Sequence, residues 1–77
     1  MSRMDHRRLL EDAITATGAS RAVVLGRSRV AAAVQQRRQV ARWLRRRGLS
    51  YPAVGELLGR SHATVMHLCW RTGWRAA

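Results

Sequence analysis

The sequence contains no phenylalanine, its basic residues are all arginine, and it has one cysteine, one proline and four acidic residues among 77. Cys69 cannot form an intramolecular disulfide by itself, so nothing points to an oxidising compartment. No apolar run approaches the length of a membrane span, and Asp5, Glu11 and Asp12 occupy the stretch where a signal peptide needs its hydrophobic region. We therefore expect a cytoplasmic chain with no membrane segment and no export signal.

Residues that usually mark an enzyme or a metal site are also scarce. Without lysine, the chain cannot contain the glycine-rich loop ending in GK[ST] that binds phosphates in nucleotide hydrolases. No nucleophile stands beside a base. His62, His67 and Cys69 lie in one segment, but one cysteine without a second ligand pair at zinc-finger spacing argues against a metal site. We expect no catalysis, no metal and no cofactor.

The positive charge is large and unevenly distributed. Residues 1–12 hold three arginines and three acids, so the net charge of +11 lies entirely in residues 13–77, where Glu56 is the only acid. Such an asymmetry favours a polyanionic partner, nucleic acid first and an anionic membrane surface second.

Glycines divide the chain into segments of helical length, and every segment has helical periodicity. A chain this short has room for one small core, so we expect a single domain over residues 1–77. The fold class predicted is all-α, a small helical bundle. The helices are expected at about residues 3–17, 20–25, 31–47, 52–58 and 62–73.

The apolar face of each helix predicts which residues form the core. Gly55 inside a helix costs about 1 kcal/mol relative to alanine, which predicts a close helix crossing at that position. The residues expected in the core are Leu10, Ala13, Ile14, Thr17, Val40, Ala41, Trp43, Leu44, Val54, Leu57, Leu58, Val65, Leu68 and Cys69.

The last third of the chain has the pattern of a helix-turn-helix. Ser50 and Pro52 begin a short helix, and the residues GRS at 59–61 lead into another. In such a unit the second helix enters the major groove, and its first turn contacts the bases. His62, Ala63 and Thr64 are small or polar where a core would need bulk, so we predict that they contact base edges.

Other residues are predicted to contact phosphates or the minor groove. Arginines with almost no acids nearby repel one another, which favours a bound anion over a merely solvated face. Ser61 is expected to cap the last helix, a role compatible with a phosphate contact. The predicted contacts are Arg27, Arg29, Arg37, Arg38, Arg42, Arg45, Ser50, Arg60, Ser61 and His67.

The run QVARWLRRRGLSYPAVGELLGRSHATVMHLCW, from Gln39 to Trp70, resembles the C-terminal DNA-binding domain of DnaA, the bacterial replication initiator, which has a Trp-repressor-like helix-turn-helix. The segment GR-x-H-x-TV is the most specific part of the similarity, which covers roughly residues 10–73. The residues that match the family pattern in order are Arg38, Gln39, Ser50, Pro52, Val54, Gly55, Gly59, Arg60, His62, Thr64 and Val65.

This resemblance implies a helical domain that binds duplex DNA, with the last helix in the major groove and a basic-loop arginine in the adjacent minor groove. The chain departs from the family at Ser61, which replaces an aspartate, and at Ala63, which replaces a threonine. Gln36 stands where the minor-groove arginine is expected, and Arg29 or Arg37 are the candidates to replace it. The base sequence that the family recognises is therefore not implied, and the family's ATPase has no counterpart in these residues.

We predict a sequence-specific double-stranded-DNA-binding protein, associated with the nucleoid, that acts as a transcriptional regulator, with a phage or prophage relation as one option. A replication-origin or phage-replication role is the first alternative. A protein-interaction module or inhibitor is the second, with Met66, Trp70 and Trp74 as contacts to a partner or to a second copy. Binding of residues 36–48 to an anionic membrane surface would leave the helix-turn-helix unexplained.

Overall fold

The structure is a computed structural model, and it describes residues 3–70. Five α-helices follow one another, with no strand in this range: α1 is Arg3–Thr17, α2 is Arg21–Leu25, α3 is Ala31–Arg46, α4 is Tyr51–Leu58 and α5 is His62–Trp70. The predicted all-α bundle is confirmed. Every helix end within the described range lies no more than one residue from its predicted position, and the expected extension of the last helix to residue 73 lies outside that range.

Serine caps explain where three of the helices begin. The Oγ of Ser20 accepts a hydrogen bond from the backbone N–H of Val23, and the Oγ of Ser50 accepts one from Ala53. Ser61 accepts in the same way from the N–H of Thr64, at 3.3 Å. Each serine therefore satisfies one of the backbone donors that the first turn of a helix leaves without a partner.

Gly59 ends α4 and allows the chain to turn directly into α5. Its φ of 70° lies in the left-handed region, which glycine adopts at little cost. The N–H of Gly59 donates to the carbonyl of Glu56, and the N–H of Arg60 donates to the carbonyl of Gly55 at 2.8 Å. These two bonds form a Schellman motif, which satisfies the carbonyls of Gly55 and Glu56 near the end of α4.

Helix α3 lies at the centre of the bundle and packs against all four of the other helices. Its buried positions, 33, 37, 40, 41 and 44, form one stripe along the helix, as helical periodicity requires. Leu44 and Val40 are fully buried, as are Val24, Val54 and Val65 from the surrounding helices. Burial of each such side chain contributes roughly 1.5–3 kcal/mol, so this stripe supplies much of the stability.

Most of the predicted core residues are buried, and a few are only partly so. Leu57, Trp43 and Cys69 are half-buried and pack against the edge of the core. Thr17 is half-buried because its hydroxyl donates back to the carbonyl of Ala13, at 2.8 Å. Within residues 3–70, no helix combines the length and the apolar character that crossing a bilayer requires.

Candidate nucleic-acid interface

The first turn of α5 lies on the surface of the bundle. His62, Ala63 and Thr64 are all exposed, while Val65 and Leu68 on the opposite side of the helix are buried. The turn is also internally ordered, because the hydroxyls of Ser61 and Thr64 lie 3.1 Å apart in a hydrogen bond. The three side chains predicted to contact bases therefore point away from the core, on an exposed helix end.

Gly55 sets how closely the turn approaches α4. A Cβ at this position would overlap the carbonyl oxygen of Arg60 and would lie 3.3 Å from the carbonyl carbon of Ser61 and 3.4 Å from the N of His62. The close approach predicted at Gly55 is thus present, but it is made to the turn and the start of α5. The turn and the start of α5 can lie this close to α4 only because Gly55 has no side chain.

A basic loop, residues 26–30, connects α2 to α3 and lies beside this turn. Arg27 and Arg29 are exposed, and the Oγ of Ser28 accepts a hydrogen bond from the N–H of Val30 at 3.3 Å. The loop and the turn line one cleft of about 470 Å³, to which Arg27, Arg29, Arg60 and Thr64 all contribute. The fold therefore brings together two groups of predicted contacts that are about thirty residues apart in the sequence.

Arg60 lies between the basic loop and the helix-turn-helix. It is half-buried, and it donates to the carbonyl of Leu58 at 2.7 Å and to the carbonyl of Gly26. Burial lowers the pKa of its guanidinium, and the neighbouring charges of Arg37 and Arg27 lower this pKa further. Part of its hydrogen-bonding capacity is already used inside the protein, so Arg60 is less available to a phosphate than its place in the turn suggested.

Arg37 is a correction to the predicted contacts. Its side chain is only 4% exposed and lies in the buried stripe of α3. The Nε donates to the carbonyl of Val24 and the Nη2 donates to the carbonyls of Val23 and Gly26. The guanidinium is therefore satisfied by backbone oxygens, and although Arg37 lines the same cleft, its burial argues against the predicted phosphate or minor-groove contact.

Gln36 is also held by the fold. Its side-chain oxygen accepts a hydrogen bond from the N–H of Ser20 at 2.8 Å, and this bond joins the start of α2 to α3. With Arg37 buried, Arg29 remains as the predicted replacement for the minor-groove arginine, and Arg27 lies next to it in the same exposed loop.

The outer side of α3 carries the remaining predicted arginines, Arg38, Arg42 and Arg45, each half-buried. The Nε of Arg38 is buried and has no hydrogen-bond partner within the described residues. Arg45 donates to the carbonyl of Leu49 at 2.7 Å, and its guanidinium lies 4.0 Å from the centre of the Tyr51 ring. This cation–π contact joins α3 to α4, a role for Tyr51 that the sequence analysis missed.

Arg42 and Arg45 approach α5 near Cys69. Burial raises the pKa of the Cys69 thiol, and the charges of Arg45 and Arg42 act against that rise. Arg42 and Arg45 therefore lie near the C-terminal part of α5, about two turns from its first turn.

The two other predicted contacts, Ser50 and His67, are exposed at the start of α4 and along α5. Trp70, predicted as a protein contact, is 54% exposed, but its indole N–H donates to the Tyr51 hydroxyl at 2.8 Å. Its companion Trp74 lies outside the described residues.

Helices α4 and α5, joined by a three-residue turn and packed across α3, define the class of protein: a helix-turn-helix domain. The family described as the bacterial dnaA protein helix-turn-helix matches residues 10–71. The chain belongs to this family, so the resemblance identified from the sequence is confirmed, and membership of the family marks the chain as a DNA-binding domain. No curated protein and no solved structure matches the chain.

Proposed function

We propose that this chain binds double-stranded DNA with sequence preference, by placing the first turn of α5 in the major groove and the basic loop in the adjacent minor groove. The observation that carries the proposal is the shared cleft, which sets Arg27 and Arg29 beside Arg60 and Thr64. Two neighbouring elements of this kind can occupy two neighbouring grooves, as in other helix-turn-helix proteins with a basic arm.

The chemistry of the first turn suits base recognition. The imidazole of His62 and the hydroxyl of Thr64 can both donate and accept hydrogen bonds. Ala63 offers a methyl group that can contact the methyl of thymine. All three side chains are exposed, so none has to leave the core to reach a base.

Phosphate contacts are proposed for the residues around this turn. The exposed Ser61 precedes the base-contacting positions and the exposed His67 follows them on α5, and α3, which carries further arginines, packs against this helix. Arg38 is only half-buried, so its positive charge can attract a phosphate to this part of α3. The proposed phosphate or minor-groove contacts are Arg27, Arg29, Arg38, Arg42, Arg45, Ser50, Arg60, Ser61 and His67.

Selection of bound duplexes from a random pool, followed by variants at α5, tests the proposal. His62→Ala should lower the discrimination between the selected duplex and a random duplex by about 1–3 kcal/mol. His67→Ala is the matched comparison: it removes an exposed histidine from the same helix outside the first turn, and as a proposed phosphate contact it should weaken both duplexes alike. An equal loss on both duplexes for His62→Ala would contradict the major-groove assignment.

The biological use that we propose is transcriptional control, with recognition and no catalytic step. The 77 residues contain no GK[ST] loop with which to bind a nucleotide, which favours marking a site over ATP-driven opening of DNA. Family membership keeps a replication role as the second candidate. Mapping the genomic fragments that the chain captures distinguishes the two, because promoters indicate control of transcription and clustered sites at an origin indicate replication.

A protein contact through Trp70 is a separate part of the proposal. The ring is 54% exposed although its N–H is satisfied, so an apolar surface remains available. Sedimentation of the chain and of Trp70→Ala, each with and without DNA, would show whether this surface joins two copies.

A further inference from the structure

The last carbonyls of two helices converge on two arginine side chains. Helix α2 has only five residues, so its final carbonyl groups have no partners within the helix, and the N–H of the following Gly26 donates to the carbonyl of Val23. Arg37 supplies further donors from α3: its Nε lies 3.3 Å from the oxygen of Val24, and its Nη2 lies 3.3 Å from that of Val23 and 2.8 Å from that of Gly26. A buried cation is tolerated here because it faces the negative end of a helix.

Arg60 joins the same group from the helix-turn-helix. Its Nη1 donates to the carbonyl of Leu58, the last residue of α4, and its Nη2 donates to the carbonyl of Gly26. The Gly26 oxygen thus accepts from Arg37 and from Arg60. This single carbonyl connects the first residue of the basic loop to the turn before α5.

The connection lies between the two elements that are proposed to enter the grooves. Arg27 follows Gly26 directly, and His62 follows Arg60 by two residues. A flexible loop would otherwise sample many positions relative to α5, and contacts that specify sequence need side chains held within about half an ångström. Because the carbonyl of Gly26 is held by Arg37 and Arg60, the basic loop begins at a fixed position beside the turn before α5.

We infer that Arg37 and Arg60 are positioning residues, which tie the basic loop to the helix-turn-helix and so set the spacing between the minor-groove arm and the first turn of α5. This inference rests on the proposed function, since the spacing matters only if both elements contact one duplex. It assigns to these two arginines a structural use of their guanidinium groups.

Substitution by lysine distinguishes an arginine that holds two elements together from one that contacts a phosphate. Lysine keeps the charge, so a residue that only attracts phosphate keeps most of its effect. A guanidinium presents several N–H groups in a fixed planar fork, which allows one side chain to bond carbonyls of two or three residues at once. An ammonium group at the end of a flexible chain does not reproduce this geometry.

The experiment compares Arg60→Lys and Arg37→Lys with the matched control Arg46→Lys, which makes the same change at an exposed position of α3. Hydrogen exchange and chemical shifts of the amides of residues 26–30, measured without DNA, report whether the loop is released. Affinities for the selected duplex and for a random duplex then report discrimination. Arg60→Lys is the main variant, because its half-buried side chain can change with less risk to the fold than the buried Arg37.

We expect both tie variants to speed exchange at the Gly26 amide and to reduce the ratio of specific to random affinity by about tenfold, whereas random affinity should fall by much less because lysine retains the charge that attracts a phosphate. The control should alter neither measurement. If the amides of residues 26–30 exchange in the tie variants as they do in the parent chain, the two arginines do not hold the loop. If the loop is released but the ratio of specific to random affinity is unchanged, the arginines hold the loop without setting DNA recognition. A parent chain that binds all duplexes equally would refute the proposed function instead, and the DNA-free exchange would then decide the tie by itself.

Discussion

Replacing Gly55 with alanine should destabilise this domain, although the same change in an ordinary helix is stabilising. Glycine in a helix interior costs about 1 kcal/mol relative to alanine, so a free position would gain that amount. At Gly55 the new Cβ would overlap the backbone oxygen of Arg60 and crowd the backbone of Ser61 and His62. Backbone atoms cannot rotate away as the tip of a side chain can, so the turn itself must move.

The expected size follows from these two opposing effects. Overpacking of this kind costs typically 1–3 kcal/mol, which offsets the gain in helix propensity and leaves a net loss of about 1 kcal/mol. For a domain of this size, such a loss lowers the melting temperature by about 4–8 °C. Because the first turn of α5 must shift, DNA discrimination should fall further than the loss of stability alone would explain.

Gly48→Ala is the matched control for this prediction. Gly48 has a φ of 96° and open space around the position of a Cβ, so alanine is strained there through its backbone and displaces no neighbour. Thermal unfolding and duplex affinity, measured well below both melting temperatures, should show lower stability for both variants and lower discrimination for Gly55→Ala alone. A melting temperature raised by Gly55→Ala would refute the packing argument.

Two further predictions concern salt and pH. If about six phosphates are neutralised, the logarithm of DNA affinity should fall with the logarithm of salt concentration at a slope near −5, and Arg42→Gln should make the slope shallower by about 1. A slope that Arg42→Gln leaves unchanged would exclude this residue from the phosphate contacts. Since the pKa of Cys69 is raised by folding, stability should be retained below the ordinary thiol pKa and should fall as the pH rises above it. Urea unfolding between about pH 7.5 and 9.5 checks this, and Cys69→Ala should lack that part of the decline.

Much of the fold could be predicted because its determinants are local. Ser20, Ser50 and Ser61 cap the helices that follow them, and Gly59 takes the left-handed conformation that ends α4. Each of these residues acts on a backbone group no more than a few positions away. Both partners of each helix cap therefore lie within a few residues of each other in the sequence, where a local pattern can reveal them.

The candidate site could be predicted only in part. Exposure of the first turn of α5 followed from periodicity, since Val65 and Leu68 had to face the core. The charge pattern predicts a phosphate contact for Arg37, because the arginines of this segment have almost no acids nearby. A signal against that assignment was present, because position 37 falls on the stripe formed by Ala33, Val40 and Ala41. Charge and periodicity thus give opposite predictions at position 37, and the fold agrees with periodicity.

The amino-acid sequence by itself determined the helices, their caps, the helix-turn-helix and the excess of arginine that favours a polyanion, since each depends on neighbouring residues or on composition. The tertiary structure decided which arginines are free. Carbonyl groups at the ends of α2 and α4 need donors, and only the folded chain brings Arg37 and Arg60 within hydrogen-bonding distance of them. Arg27 and Arg29 stay exposed in the loop. Identical side chains thus differ in role because the backbone groups near them differ, and those neighbours come from distant parts of the sequence.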